Sequence, residues 1–142
     1  MLFRSLIAEI APDVPVARLA RRLRETLPAS ELRPAHGDFH VDQLLLGGDG
    51  LAVIDLDGLC LAPPALDLAT YAADVVRGRD SDTRAVAAVL DPLIDGYGGP
   101  PPDLEWHLAT AILTRAAHPF QRQADGWKNR VRNMVAVAER ML

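Results

Sequence analysis

A chain of 142 residues, 49% apolar and carrying a net charge of −4, has the size of one domain, and its acidic balance argues against nucleic acid or an anionic membrane as a partner. A single cysteine, Cys60, excludes an internal disulfide, and no apolar run reaches the ~20 residues of a membrane span. The composition therefore reads as a soluble, cytoplasmic protein.

The first segment, Leu2 to Ile10, is interrupted by Arg4 and Glu9 and is too short and charged for a signal peptide. Residues 14 to 27 follow as an amphipathic helix, with Val16, Leu19, Leu23 and Leu27 at three- and four-residue steps. Arg18, Arg21, Arg22 and Arg24 fall mostly on its other face, either as a solvated surface or as a phosphate contact. Pro28 and Pro34 bracket an irregular connection, so residues 1–35 read as one leading helix and its exit. Residues 43–46 and 51–55 make two short strands around the turn Gly47-Gly48-Asp49-Gly50, where glycine supplies the positive φ of a hairpin.

Everything beyond the hairpin is helical in pattern. Pro64 suits the first turn of a helix running to about Val76. Asp80, Ser81 and Asp82 offer N-caps for a helix to about Tyr97, which Pro92 kinks or splits. Gly98-Gly99-Pro100-Pro101-Pro102 is a hard break. Asp103 caps the next helix to about Ala117, and Pro119 ends it. Asp125 opens the last helix, with Trp127, Val131, Met134, Val135 and Ala138 as its inward stripe. Cys60 reads as a small buried apolar residue. The expected fold is mostly α with one short β-hairpin: a loop and hairpin over 36–57 and a helical subdomain over 64–142.

The chemistry concentrates in His36-Gly37-Asp38-Phe39-His40-Val41-Asp42-Gln43 and in Asp55, twelve residues beyond Gln43. Asp38 and Gln43 stand five apart, the step between base and metal-binding amide in a kinase catalytic loop, and a second metal-binding Asp follows after a strand. In an antiparallel hairpin the start of one strand and the end of the other are neighbours, which brings Gln43 beside Asp55. Asp38 would take the proton of an acceptor hydroxyl, and the oxygens of Gln43 and Asp55 would hold Mg²⁺, which favours hard oxygen ligands. His36 would brace the loop, Gly37 would permit its tight path, and His40 would orient the loop or approach a phosphate. Taken singly, each has a plainer explanation: a satisfied structural histidine, a turn residue, a strand-end cap. A metal pair formed by His36 and His40 is rejected, because His40 precedes a strand and no third ligand is evident.

These residues carry a resemblance. His36-Gly37-Asp38-Phe39-His40-Val41-Asp42-Gln43, then Val53-Ile54-Asp55-Leu56-Asp57-Gly58, then Pro64-Ala65-Leu66-Asp67-Leu68-Ala69 resembles the aminoglycoside phosphotransferase and choline-kinase-like superfamily, across residues 36 to 69. The resemblance implies the C-terminal lobe of a protein-kinase-like fold, with ATP as donor and a small-molecule hydroxyl as acceptor. It implies Asp38 as base, Gln43 and Asp55 as Mg²⁺ ligands, and Asp67 as a carboxylate supporting the loop; the plainer account of Asp67 is an acid favourable to a helix's first turn. The pattern departs in three places. Gln43 stands for the usual Asn, one methylene longer. Leu56-Asp57 replaces Phe-Gly, so Asp57 adds a carboxylate near the metal. And the residues before His36 hold no glycine-rich loop, no run of strands and no lysine, Lys128 being the chain's only one. The nucleotide lobe is thus expected to be absent from these residues. That leaves a non-catalytic lobe, or one that joins a separate nucleotide lobe or a second copy, as an alternative.

A third reading comes from Asp55-Leu56-Asp57-Gly58 itself, which matches the D-x-D-G signature of haloacid-dehalogenase-type phosphatases, with Asp55 as nucleophile and Asp57 as general acid/base. That fold needs a parallel sheet, and no strand-like run is expected after Asp57. Asp74, Asp95 and Glu105 either draw a cationic acceptor or are solvated helix faces.

Overall fold

The structure is a computed structural model that describes residues 2–77 and 82–142; Asp80 and Ser81 lie outside the described residues. Two helices lead, α1 (Leu2–Ile10) and α2 (Val16–Glu25), followed by β1 (Arg33–Ala35), β2 (Leu44–Gly47), β3 (Gly50–Val53) and β4 (Cys60–Ala62). Five helices complete the chain: α3 (Ala65–Arg77), α4 (Thr83–Tyr97), α5 (Leu104–Arg115), α6 (His118–Gln121) and α7 (Trp127–Arg140). No helix among the described residues is long and apolar enough to cross a membrane.

The core is helical because the buried positions recur at helical spacing and are small. Ala65, Ala69, Ala72 and Ala73 of α3 meet Ala109 and Ile112 of α5, all of them sealed from solvent. Such short side chains let the two axes approach closely. Val131, Val135 and Ala138 of α7 close the same core, as the apolar stripe of that helix requires. Val16, Leu19 and Leu23 of α2 pack onto it, with Ile7 of α1 beside them. Trp106 fixes α2 to α5 by donating its indole N–H to the Leu23 carbonyl at 3.0 Å. Arg18 of the α2 arginine face pairs with Glu139 of α7.

Several expectations need correction. The leading segment is two helices, not one, parted before Pro15, whose ring cannot donate to a continuing helix. The stretch after Asp57 is not all helical: β4 pairs antiparallel with β1, Arg33 facing Ala62 and Ala35 facing Cys60. Three-residue strands carry too little alternation to announce themselves. Cys60 is exposed rather than buried, since this ribbon runs past the helical body with nothing over that position. Asp82 does cap α4, accepting from the Ala85 N–H at 2.9 Å, and Pro92 sits inside α4 without splitting it. Asp103 occupies the cap position of α5 in the left-handed region, but its side chain makes no capping bond and instead meets Ser30 at 3.4 Å. Pro119 lies in the first turn of α6 rather than ending α5 at that point, where its missing N–H costs nothing. Gly126, not Asp125, takes the cap of α7.

Candidate active site

The loop that follows β1 is held from two sides. Asp67, in the first turn of α3, accepts the backbone N–H of His36 at 2.7 Å and of Gly37 at 3.0 Å, one on each carboxylate oxygen. Hydrogen bonds to an ionised acceptor are the stronger kind, so one side chain fixes the loop's entry. His36, 8% exposed, donates its Nε2–H to the carbonyl of Ile54 at 2.9 Å and so ties the loop to the end of β3. Gly37 has φ of +88°, and a Cβ there would stand 2.3 Å from the Gly58 carbonyl oxygen. A Cβ on Gly58 would in turn come within 3.0 Å of the His36 carbonyl. The loop and the turn after Asp55 are therefore pressed backbone to backbone, and Gly37, by both its positive φ and this approach, requires glycine.

The hairpin does what its ends foretold. Leu44 faces Val53, and Gly47 faces Gly50 across the tight turn. One step further out, the Ile54 N–H donates to the Gln43 carbonyl at 2.9 Å, which sets Gln43 beside Asp55. The amide nitrogen of Gln43 donates to Asp55 Oδ2 at 3.2 Å and to His40 Nε2 at 3.1 Å. His40 Nε2 lies 3.8 Å from Asp38 Oδ2, and its Nδ1 the same distance from Asp42 Oδ2. Asp38, His40, Gln43 and Asp55 thus form one chain of contacts. Gln43 is buried beneath it while the two carboxylates open to solvent. Asp55 itself is left-handed, at φ 59° and ψ 59°. A non-glycine residue held so costs of order 1–3 kcal/mol, and such strain gathers at functional positions. Asp57 is exposed on the following turn and shares no hydrogen bond or ion pair with these groups among the described residues.

Sequence reasoning missed Arg115, whose Nη2 lies 3.6 Å from Asp38 Oδ1. Only packing of α5 against the loop brings it there, across a separation no spacing rule covers. Burial lowers the pKa of its guanidinium, and Asp38 and Asp74 oppose that shift.

One carboxylate and one side-chain amide are a donor set of hard oxygens once the Gln43 amide turns its oxygen toward Asp55. Among the described residues no three His, Cys, Asp or Glu side chains gather tightly enough to hold a metal by themselves. Mg²⁺ takes one or two protein oxygens and completes its shell with water and phosphate rather than an all-protein cage. Behind the loop, an apolar cavity of about 560 Å³ is lined by His36, Phe39, Leu56, Leu93 and Tyr97.

The phosphatase reading fails on the fold: both sheets among the described residues are two-stranded and antiparallel. Gly58, which completed its motif, is accounted for by the contact with Gly37. No curated protein and no solved structure matches the chain. One family model does, over residues 4–109, which takes in the loop, the hairpin, Asp67 and the first half of α5. On that match, which covers residues 4–109 of 142, the chain belongs to the phosphotransferase enzyme family.

Proposed function

We propose that the chain is the helix-rich catalytic lobe of a protein-kinase-like fold and transfers the γ-phosphoryl group of ATP to a hydroxyl of a small molecule. The observation that carries this reading is the 3.2 Å contact between Gln43 and Asp55, joined through His40 to Asp38. Asp38 takes the proton from the acceptor hydroxyl as its oxygen attacks the γ-phosphorus. The bond from that phosphorus to the β–γ bridging oxygen breaks, and ADP leaves. Gln43 and Asp55 hold Mg²⁺, which when bound neutralises charge on the phosphate oxygens. His40 orients the Gln43 amide, while Asp67 and His36 position the loop. In the isolated chain, Asp38→Asn should lower ATP turnover, with water or alcohol as acceptor, by about 10²–10⁴-fold. It should spare the circular dichroism spectrum and Mg-ATP binding, whereas Asp55→Asn should weaken that binding. Turnover unchanged in both variants would refute the assignment.

A second reading rests on a different observation. Leu45, Leu46, Leu51, Val53, Leu56, Leu59 and Leu61 all lie exposed on the hairpin side of the site. An apolar surface of this kind marks a contact face, and it supports a lobe that works only with a nucleotide-binding unit or a second copy seated there. Calorimetry decides between them. A well-folded isolated chain that binds no Mg-ATP favours the partial lobe.

A further inference from the structure

At the C-terminal end of α3, a cavity of about 210 Å³ is lined by Asp74, Arg77, His118, Arg122 and Arg130, with Pro119 and Ala124. Its one carboxylate is already engaged: Arg77 Nη2 sits 2.8 Å from Asp74 Oδ1. Arg77 Nη1 also donates to His118 Nδ1 at 3.2 Å, so that ring nitrogen carries no proton. Among the described residues no carboxylate lies within ion-pair distance of Arg122 or Arg130. Burial first, and then the charges of Arg77, Arg115 and Arg122, hold His118 below its ordinary pKa, a report of the same positive field. Arg115 carries that field to the catalytic loop, interacting with Asp74 on one side and reaching Asp38 at 3.6 Å on the other. Among the described residues, the four guanidinium groups of Arg77, Arg115, Arg122 and Arg130 are thus faced by two carboxylates, Asp38 and Asp74, both engaged by Arg77 and Arg115.

A pocket walled by arginines in excess of acids suits an oxyanion, whose planar or tetrahedral oxygens match the guanidinium fork. Its volume is roughly that of seven waters at about 30 Å³ each, room for such a group and a short carbon chain. We infer that this cavity binds a phosphate or carboxylate group, and that the alcohol acceptor itself carries that group. The second clause rests on the phosphotransferase reading; the first does not. Asp74, expected to draw a cation, is neutralised by Arg77, and the acceptor is an anionic alcohol. Arg115, Arg122 and Arg130 all lie beyond the residues that the family model matches.

Calorimetric titration of the whole chain with inorganic phosphate, glycerol 3-phosphate and choline at low ionic strength tests both clauses. Phosphate and glycerol 3-phosphate should bind, more weakly as salt rises, and choline should not. Arg122→Ala with Arg130→Ala should weaken phosphate binding at least tenfold. Arg122→Glu alone, at an exposed position, should do the same if the double variant loses its circular dichroism. Phosphate binding lost in Arg122→Glu and kept in Asp38→Asn supports the cavity whatever becomes of the catalytic role. Equal phosphate affinity in wild type and Arg122→Glu overturns the site. Glycerol 3-phosphate binding no more tightly than inorganic phosphate, or choline binding more tightly than either, overturns the anionic acceptor while leaving the catalytic assignment standing.

Discussion

The helical half and the hairpin half of this molecule are held together by different means. In α3, α5 and α7 the facing alanines and valines are wholly buried, while in the hairpin Leu46 is 86% exposed and Leu45, Leu51 and Val53 are open as well. The helices close a core of their own. The hairpin keeps its shape through its ladder, its glycine turn and the bond from His36 to the Ile54 carbonyl, while Leu45, Leu46 and Leu51 stay open to solvent. The candidate site sits on the seam. Its carboxylates Asp38 and Asp55 are open to solvent, and hydrogen bonds from Asp67 and from the buried His36 hold the loop beside the packed half.

Mutations at matched chemistry should break the symmetry between the halves most plainly. Ile112→Ala, at a fully buried position of α5, should cost about 2–5 kcal/mol in urea unfolding, transfer and cavity terms together. Removing an anchor on the seam comes next. Asp67→Ala leaves the His36 and Gly37 N–H groups without their acceptor and should cost roughly 1–3 kcal/mol. Asp67→Asn should recover part of that loss, and a stability equal to wild type in Asp67→Ala would show the anchor to be idle.

Acid should loosen the helical half specifically. His107 and His118 both have pKa values held down in the fold, chiefly by burial. Between the folded value and the ordinary value near 6.5 the unfolded chain holds the extra proton. Stability should therefore be fully present above about pH 6.5 and decline as pH falls through that window. The urea midpoint at pH 5 against pH 7 measures it, and His107→Gln should flatten the difference. The smallest change belongs to the hairpin: Leu46→Ser should stay within about 0.5 kcal/mol of wild type. It should also reduce self-association in analytical ultracentrifugation if the exposed face is adhesive.

The same contrast governs what could be read from residues alone. The hairpin and its flanking polar residues were legible because strand pairing is local: a glycine turn and a period of two place Gln43 beside Asp55 without help from the rest of the chain. Asp67 was legible as a helix-start acid and as a motif residue, though not as the acceptor of two loop N–H groups. The β1–β4 ribbon was not legible, since three residues cannot display alternation and Pro34 argues against a strand. Arg115 and the arginine cavity were beyond reach for another reason. They depend on how α3, α5, α6 and α7 pack, and periodicity fixes a helix's buried face but not which neighbour's charges will meet across it. Cys60 misled because its residue type predicts burial and its place in an uncovered ribbon does not.

The apposition of Gly37 and Gly58 has a consequence for how such a site can vary. With no side chain on either glycine, the loop bearing Asp38 and the turn following Asp55 meet backbone to backbone. Changes along the hairpin edge can then accumulate without altering that contact. A single methyl group at Gly37, by contrast, would collide with the Gly58 carbonyl and force the loop and the turn apart.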